Sequence, residues 1–241
     1  MKNILITGVS KGLGLEITKT PLLNGYSVYG ISRTNSDELV SLLSKYNGQL
    51  FLCNYDLTDT DGIKNILLKD FIDLKIPLKG FVNNAAFAYD DIVTNLNTIQ
   101  LEKMFKVNVF APMVITKYVI RNMLLHKTKG SIVHLSSISV HTGYKGLAMY
   151  ASSKGALEAF SKNTAREWGE RGIRSNCIVA GFMATNMSST LSEDQKNRIY
   201  ARTSLKRATD IISVSNTVEY LLSDKSNSIT GQNIFVDNGT I

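Results

Sequence analysis

Short runs of β-branched and apolar residues alternate along this chain with longer stretches whose apolar positions recur at helical spacing. NILIT from Asn3, YSVYGIS from Tyr26 and LFLCN from Leu50 read as strands, and helices are predicted from Gly12, Asp37 and Asp59. The alternation continues with GFVNN from Gly80, an amphipathic stretch from Thr98 to about Leu125, and SIVHLSS from Ser131. A helix from Tyr150 to about Trp168, IRSNCIVA from Ile173 and NIFVD from Asn233 complete the series. Seven strands with helices between them predict one α/β domain over residues 1–241, a doubly wound seven-stranded parallel sheet with helices on both faces. Right-handed crossovers place every strand's C-terminal end on one edge, where open α/β sheets bind ligands.

With 241 residues, 44% of them hydrophobic, the chain can bury one substantial core. Its two cysteines, Cys53 and Cys177, both lie in apolar stretches, so neither a disulfide framework nor a Cys/His metal cluster is expected. They read as buried thiols of a reducing compartment. No apolar run approaches the ~20 residues of a membrane span, and Lys2 leads straight into a strand without a signal-peptide core. A cytoplasmic location is expected. The loop from Phe182 to about Ser192 precedes a helix carrying Arg198 and Arg202, and a substrate lid is expected there. The net charge of +7 suits an anionic partner: a phosphorylated cofactor, an acidic carrier protein or nucleic acid. The basic residues are scattered over helical segments with no aromatic-interleaved tract, so they read as solvated helix faces and nucleic acid is not expected.

The first strand runs into Thr7-Gly8-Val9-Ser10-Lys11-Gly12-Leu13-Gly14, a glycine-rich turn that opens a helix. Glycines let backbone N–H groups approach a pyrophosphate, and a helix N-terminus adds positive potential. No Gly-Lys-Ser/Thr closes the turn, which excludes a Walker loop. The motif resembles the Thr-Gly-x-x-x-Gly-x-Gly hallmark of the short-chain dehydrogenase/reductase family, and that resemblance implies a Rossmann-type fold with a nicotinamide dinucleotide on this turn. At the end of strand two, a carboxylate binds a ribose 2′-hydroxyl whereas an Arg accommodates a 2′-phosphate. Here the strand ends Gly30-Ile31-Ser32-Arg33-Thr34, and Lys11 adds a second cation. NADP(H) is therefore the expected cofactor, with an exposed loop cation as the competing reading of Arg33. By the resemblance Asp56, followed by Leu57, contacts the adenine, while Thr58 or Asp59 suits the N-cap of the next helix. Asn83-Asn84-Ala85-Ala86 stands where the family has Asn-Asn-Ala-Gly. Ala86 is strained there if its φ is positive.

Tyr150 and Lys154 stand four residues apart, hence on one helix face. A phenol of pKa ~10 is expected to be made more acidic by an adjacent ammonium and by the charge of an oxidised nicotinamide. Thirteen residues before Tyr150, strand five ends in Ser136-Ser137 at the ligand-binding edge. By resemblance to the family, Ser137 anchors the substrate carbonyl, Tyr150 is the general acid in reduction, and Lys154 modulates the phenol and holds the nicotinamide ribose. Asn108 supports the proton relay. Ala180-Gly181 replaces the family's Pro-Gly, and Thr185 stands four residues later to contact the carboxamide. His134 and His141 have no carboxylate or cysteine at ligand spacing and read as structural or peripheral.

Within the family, the segment Ala165–Ile173 resembles the 3-oxoacyl-acyl carrier protein reductases, with Arg171 matching an arginine that meets the acidic carrier. Their second carrier-contacting arginine falls near Thr128, beside Lys127 and Lys129, and Phe87–Asp91 departs from their Thr-Arg-Asp loop. The implied activity is NADPH-dependent reduction of a ketone on an acyl carrier protein. A keto-sugar or small-ketone reductase, or a non-catalytic NADPH sensor, is the alternative. The resemblance also implies a homotetramer pairing the long helices on either side of strand five.

Overall fold

The computed structural model describes residues 2–184 and 192–240. Its strands are β1 (Lys2–Thr7), β2 (Tyr26–Ser32), β3 (Leu50–Asn54), β4 (Leu78–Asn83), β5 (Ser131–Ser137), β6 (Arg174–Ala180) and β7 (Asn233–Val236). They form one sheet in the order β3-β2-β1-β4-β5-β6-β7, with every neighbouring pair parallel. The helices are α1 (Gly12–Leu23), α2 (Asp37–Lys45), α3 (Thr98–Phe105), α4 (Ala111–Leu125), α5 (Ser139–Thr142), α6 (Ala148–Trp168), α7 (Glu193–Ala201) and α8 (Ile211–Leu222). A wide-turned helix, Ile63–Phe71, follows β3, and a π-wound turn, Lys106–Phe110, joins α3 to α4.

Strand alternation divides the core into two layers. Ile4, Ile6, Val82 and Val133 pack with Leu15 and Ile17 of α1 and with Val214 and Val218 of α8. Their neighbours Leu5, Phe81 and Ile132 pack on the other face with Leu67 and with Ile115 and Val119 of α4. Both faces are thus covered, which is why the strands carry near-continuous apolar runs.

The structure departs from expectation in three places. The helix expected from Asp59 starts at Ile63, because Asp59 Oδ1 accepts the Gly62 N–H at 3.0 Å and closes a turn first. Helix α8 was not predicted: Ile211, Ile212, Val214, Thr217 and Val218 are β-branched and favour strands in isolation. Its signal was the Asp210 N-cap, which accepts from the Ile212 and Ser213 N–H groups. Cys177 is buried as expected, but Cys53 is only half-buried.

His134 on β5 is fully buried between the rings of Phe81 and Phe160, and neither ring nitrogen has a hydrogen-bond partner. Burial, reinforced by the nearby Lys154 charge, pushes the imidazole down to about 3. An unfolded imidazole takes up its proton near 6.5, so between these values the unfolded chain binds more protons and stability falls as pH falls. Each pKa unit is about 1.4 kcal/mol. Urea unfolding of His134→Leu is therefore expected to show a shallower loss of stability between about pH 6.5 and 3 than the parent chain. Parallel pH curves would refute this.

Candidate active site

The strand order reverses between β1 and β4, and a cleft of about 290 Å³ opens there at the C-terminal edge of the sheet. Thr7 ties its two walls together. Its Oγ1 accepts the Asn84 and Ala85 N–H groups at 3.2 and 3.1 Å, while Asn84 Nδ2 donates to the carbonyls of Thr7 and Gly8, both at 3.1 Å. Gly8 has φ +76°, and a Cβ on Gly14 would stand 1.8 Å from the Gly8 carbonyl oxygen. The turn is therefore a backbone cradle that side chains would fill. Gly12, Ser10, Leu13, Ala85 and Ala86 also line it. Ala86 is absent from the positive-φ residues, so the methyl group stands there without backbone strain.

The far end of the cleft carries Lys11, Ser32 and Arg33. Asn54 Nδ2 holds the Arg33 carbonyl at 3.1 Å, and Ser32 Oγ donates to Asn35 Oδ1 at 3.0 Å. Among the described residues neither Lys11 nor Arg33 makes an ion pair. Asp56 and Leu57 form the adjoining wall. The Thr58 N–H donates to Asp56 Oδ1 at 2.9 Å, and with the attraction of Arg33 and Lys103 this holds the carboxyl below its usual range. Glycines that admit a pyrophosphate, with two cations outside any ion pair at the far end, fit a nicotinamide dinucleotide.

At the other end, Tyr150 and Lys154 project from consecutive turns of α6 into the same cleft. Lys154 is buried, its Nζ donates to the Leu135 carbonyl at 2.7 Å, and it lies 5.8 Å from the Tyr150 ring centroid. Burial brings this amine down to about 8. The sequence reading expects a more acidic phenol, but here burial and then the Asp90 charge push Tyr150 up to about 12. The ammonium's hydrogen bond goes to Leu135, and desolvation dominates.

Ser137 ends β5, and its Oγ accepts from the Ser139 N–H at 3.2 Å and the Ser139 hydroxyl at 3.0 Å. Its own proton is left to donate. Asn108 sits in the π-wound turn, a widening often found at functional sites. Its Oδ1 accepts the Phe87 N–H at 2.8 Å, and its Nδ2 donates to the Phe87 carbonyl and to Ser153 Oγ. Ser153 in turn donates to the Tyr150 carbonyl at 2.7 Å. Asn108 thereby locks the loop after β4 to the start of the Tyr150 turn.

Gly181 does not form a cleft wall; a Cβ there would meet Thr209 Oγ1 at 2.4 Å and Asp237 Cα at 2.6 Å, and Ala180 and Met183 line the cleft instead. Its glycine serves close packing against Asp237 rather than a left-handed turn. Thr185 and the central part of the expected lid, residues 185–191, lie outside the described residues. Sequence reasoning missed Tyr55, Phe87, Lys103 and Ser136 in the cleft lining, since no motif or spacing marks them. It also missed that His141 has a carboxylate partner, Glu158, at 3.1 Å, seventeen residues along the chain.

A family model described as Enoyl-(Acyl carrier protein) reductase matches residues 8–240. The chain is 32% identical over 239 residues to the 3-oxoacyl-[acyl-carrier-protein] reductase of Buchnera aphidicola subsp. Schizaphis graminum, covering 99% of this chain and 96% of that protein. It is 32% identical to carbonyl reductase [NADPH] 2 of Sus scrofa, covering 98% and 94%. The solved structure of 4-hydroxyisoleucine dehydrogenase complexed with NADH superposes with a TM-score of 0.92 at 27% identity, covering 99% of this chain and 98% of that one. Likeness of this extent, in a chain that folds its glycine cradle and its Tyr150–Lys154 pair into one cleft, shows that it belongs to the short-chain dehydrogenase/reductase family, nicotinamide-dependent oxidoreductases acting on CH–OH and C=O groups.

Proposed function

We propose that this chain reduces a ketone to a secondary alcohol with NADPH, its substrate a 3-oxoacyl group carried on an acyl carrier protein. The observation that carries the reading is that Tyr150 and the buried Lys154 stand together at one end of the cleft whose other end holds Lys11 and Arg33. Gly8, Ser10, Gly12, Leu13 and Gly14 would hold the pyrophosphate, Lys11, Ser32 and Arg33 the 2′-phosphate, Asp56 and Leu57 the adenine, and Asn84 to Ala86 with Lys154 the nicotinamide ribose. Thr185 completes the set proposed from the family, while Gly181 supports the turn that leads to it. When bound, the cofactor supplies the hydride. The Ser137 hydroxyl donates to the carbonyl oxygen and orients it, and the Tyr150 phenol gives that oxygen its proton. Lys154 restores the phenol's proton, and Asn108 holds the surrounding backbone in place.

Two basic segments support the carrier reading. The Lys129 stem passes over Gly172, where a Cβ would fall 2.7 Å from Lys129 Cγ, so that basic segment lies against the residue that follows Arg171. Phe87 to Asp91 instead favours the second reading, a keto-sugar or small-ketone substrate. A homotetramer is proposed as well, consistent with the exposed Ile99, Phe110 and Leu125 on the α3–α4 unit.

The test is NADPH oxidation with an acetoacetyl thioester, with NADH in parallel. Turnover with NADPH supports the proposal; NADPH binding without turnover moves the substrate to keto-sugars or small ketones, or leaves a sensor. Arg33→Asp is expected to weaken NADPH binding by about 10- to 100-fold, the scale of one lost charge-assisted phosphate contact, while NADH binding is maintained. Equal effects on both cofactors, measured by fluorescence titration, would rule out Arg33 as the 2′-phosphate ligand.

A further inference from the structure

We propose that Glu158 is a positioning residue for the reaction at Tyr150 and Ser137, an inference that rests on the reductase reading above. Tyr150, Lys154 and Glu158 succeed one another every four residues along α6, forming one ridge. The lower part of that ridge grips consecutive residues of β5. Lys154 Nζ donates to the Leu135 carbonyl at 2.7 Å, and the Ser136 hydroxyl donates to Glu158 Oε1 at 2.5 Å. Ser137 is the next residue.

The Glu158 carboxylate is 8% exposed and takes two further donors. Asn233 Nδ2, at the start of β7, reaches Oε2 at 2.6 Å, and His141 Nε2, on α5, hydrogen-bonds Oε1 at 3.2 Å with Oε2 at 3.1 Å. The His141 ring packs edge-on against Phe235 of β7, 4.9 Å between centroids. One buried carboxylate therefore joins the Tyr150 helix to β5, α5 and β7. The trio of Ser136, His141 and Glu158 is not an activated nucleophile, because the serine gives its proton to the carboxylate and the histidine sits on the carboxylate rather than on the serine.

A carboxylate only accepts, so it satisfies all three donors at once. An amide of nearly the same volume offers one accepting oxygen in place of two, so Ser136 or His141 must reverse its role to accept an N–H, or that arm is lost. The separation of Ser137 from Tyr150 is set by the packing of β5 against α6, and misplacement of reacting groups by about 1 Å costs on the order of 100-fold in rate.

The test combines Glu158→Gln, Ser136→Ala and the double variant. Each is assayed with NADPH and an acetoacetyl thioester, followed by urea unfolding, and titrated by ultraviolet difference spectroscopy against Tyr150→Phe in the NADP⁺-bound protein to read the Tyr150 phenol. Glu158→Gln is expected to lower kcat by about tenfold or more and to shift the Tyr150 titration, with KM for NADPH changed by less than about twofold. The double variant is expected to fall no further than the worse single one, because both remove the same hydrogen bond. Unchanged kcat and an unchanged Tyr150 titration in folded Glu158→Gln, or losses that multiply in the double variant, would overturn the proposal. Should Glu158→Gln not fold, Ser136→Ala decides by the same readings. A parent chain that does not turn over the thioester defeats the substrate reading alone, and the Tyr150 titration then decides the positioning role without a carbonyl substrate.

Discussion

Tyr150→Phe is expected to lower kcat for carbonyl reduction by about 10²- to 10⁴-fold, the contribution of one positioned general acid, while NADPH binding is preserved. The hydroxyl is the only part of the side chain that is lost, and the ring remains to fill its place in the cleft. Because burial holds the phenol near 12, it stays protonated throughout the neutral range, the form that reduction needs. The reverse oxidation needs the phenolate, so its rate is expected to climb with pH well beyond neutrality. Lys154, brought down to about 8 by burial, is able to lose a proton in that same range and resupply the phenol. Stopped-flow measurement of the chemical step in both directions, for the parent chain and the variant, checks the pair of expectations. A variant with full rate would remove Tyr150 from the chemistry and leave the family resemblance as a matter of fold.

Gly14→Ala is expected to weaken dinucleotide binding by about 10- to 100-fold and to cost about 1–3 kcal/mol of stability, the range found for an overpacked methyl group. The new Cβ would lie 1.8 Å from the Gly8 carbonyl oxygen and 2.6 Å from Asn84 Nδ2. Neither can yield cheaply, since Asn84 Nδ2 is hydrogen-bonded to the Gly8 carbonyl and to that of Thr7. Relief therefore requires moving the turn that makes the cradle. Gly155→Ala is the matched control. Its Cβ would meet Val140 Cγ1 at an ordinary 3.5 Å inside α6, so it is expected to stabilise by about 0.5–1 kcal/mol through helix propensity. Calorimetry and fluorescence titration of the two variants separate the effects; a Gly14→Ala protein that binds NADPH like the parent would refute the cradle.

Local chemistry made most of this architecture readable. Strands buried on both faces need continuous apolar runs, so β1 to β7 could be placed from residues such as those of YSVYGIS and SIVHLSS. The glycine turn announced itself because only glycine allows φ near +76° at Gly8 and the contact at Gly14. Helix α8 escaped because its core-facing spacing competes with a β-branched composition, and packing on α1 overrides propensity.

The sequence by itself thus determined the α/β class, the cradle and the placement of Tyr150 and Lys154 on one helix face, since each follows from a spacing of a few residues. Tertiary structure alone decided how those groups behave. Lys154 is hydrogen-bonded to Leu135 rather than to the phenol, Tyr150 is driven up by burial, and His141, Ser136 and Asn233 meet on Glu158 from separate elements. Desolvation and long-range hydrogen bonds depend on which segments meet in the folded chain, and no periodicity along the sequence encodes that meeting.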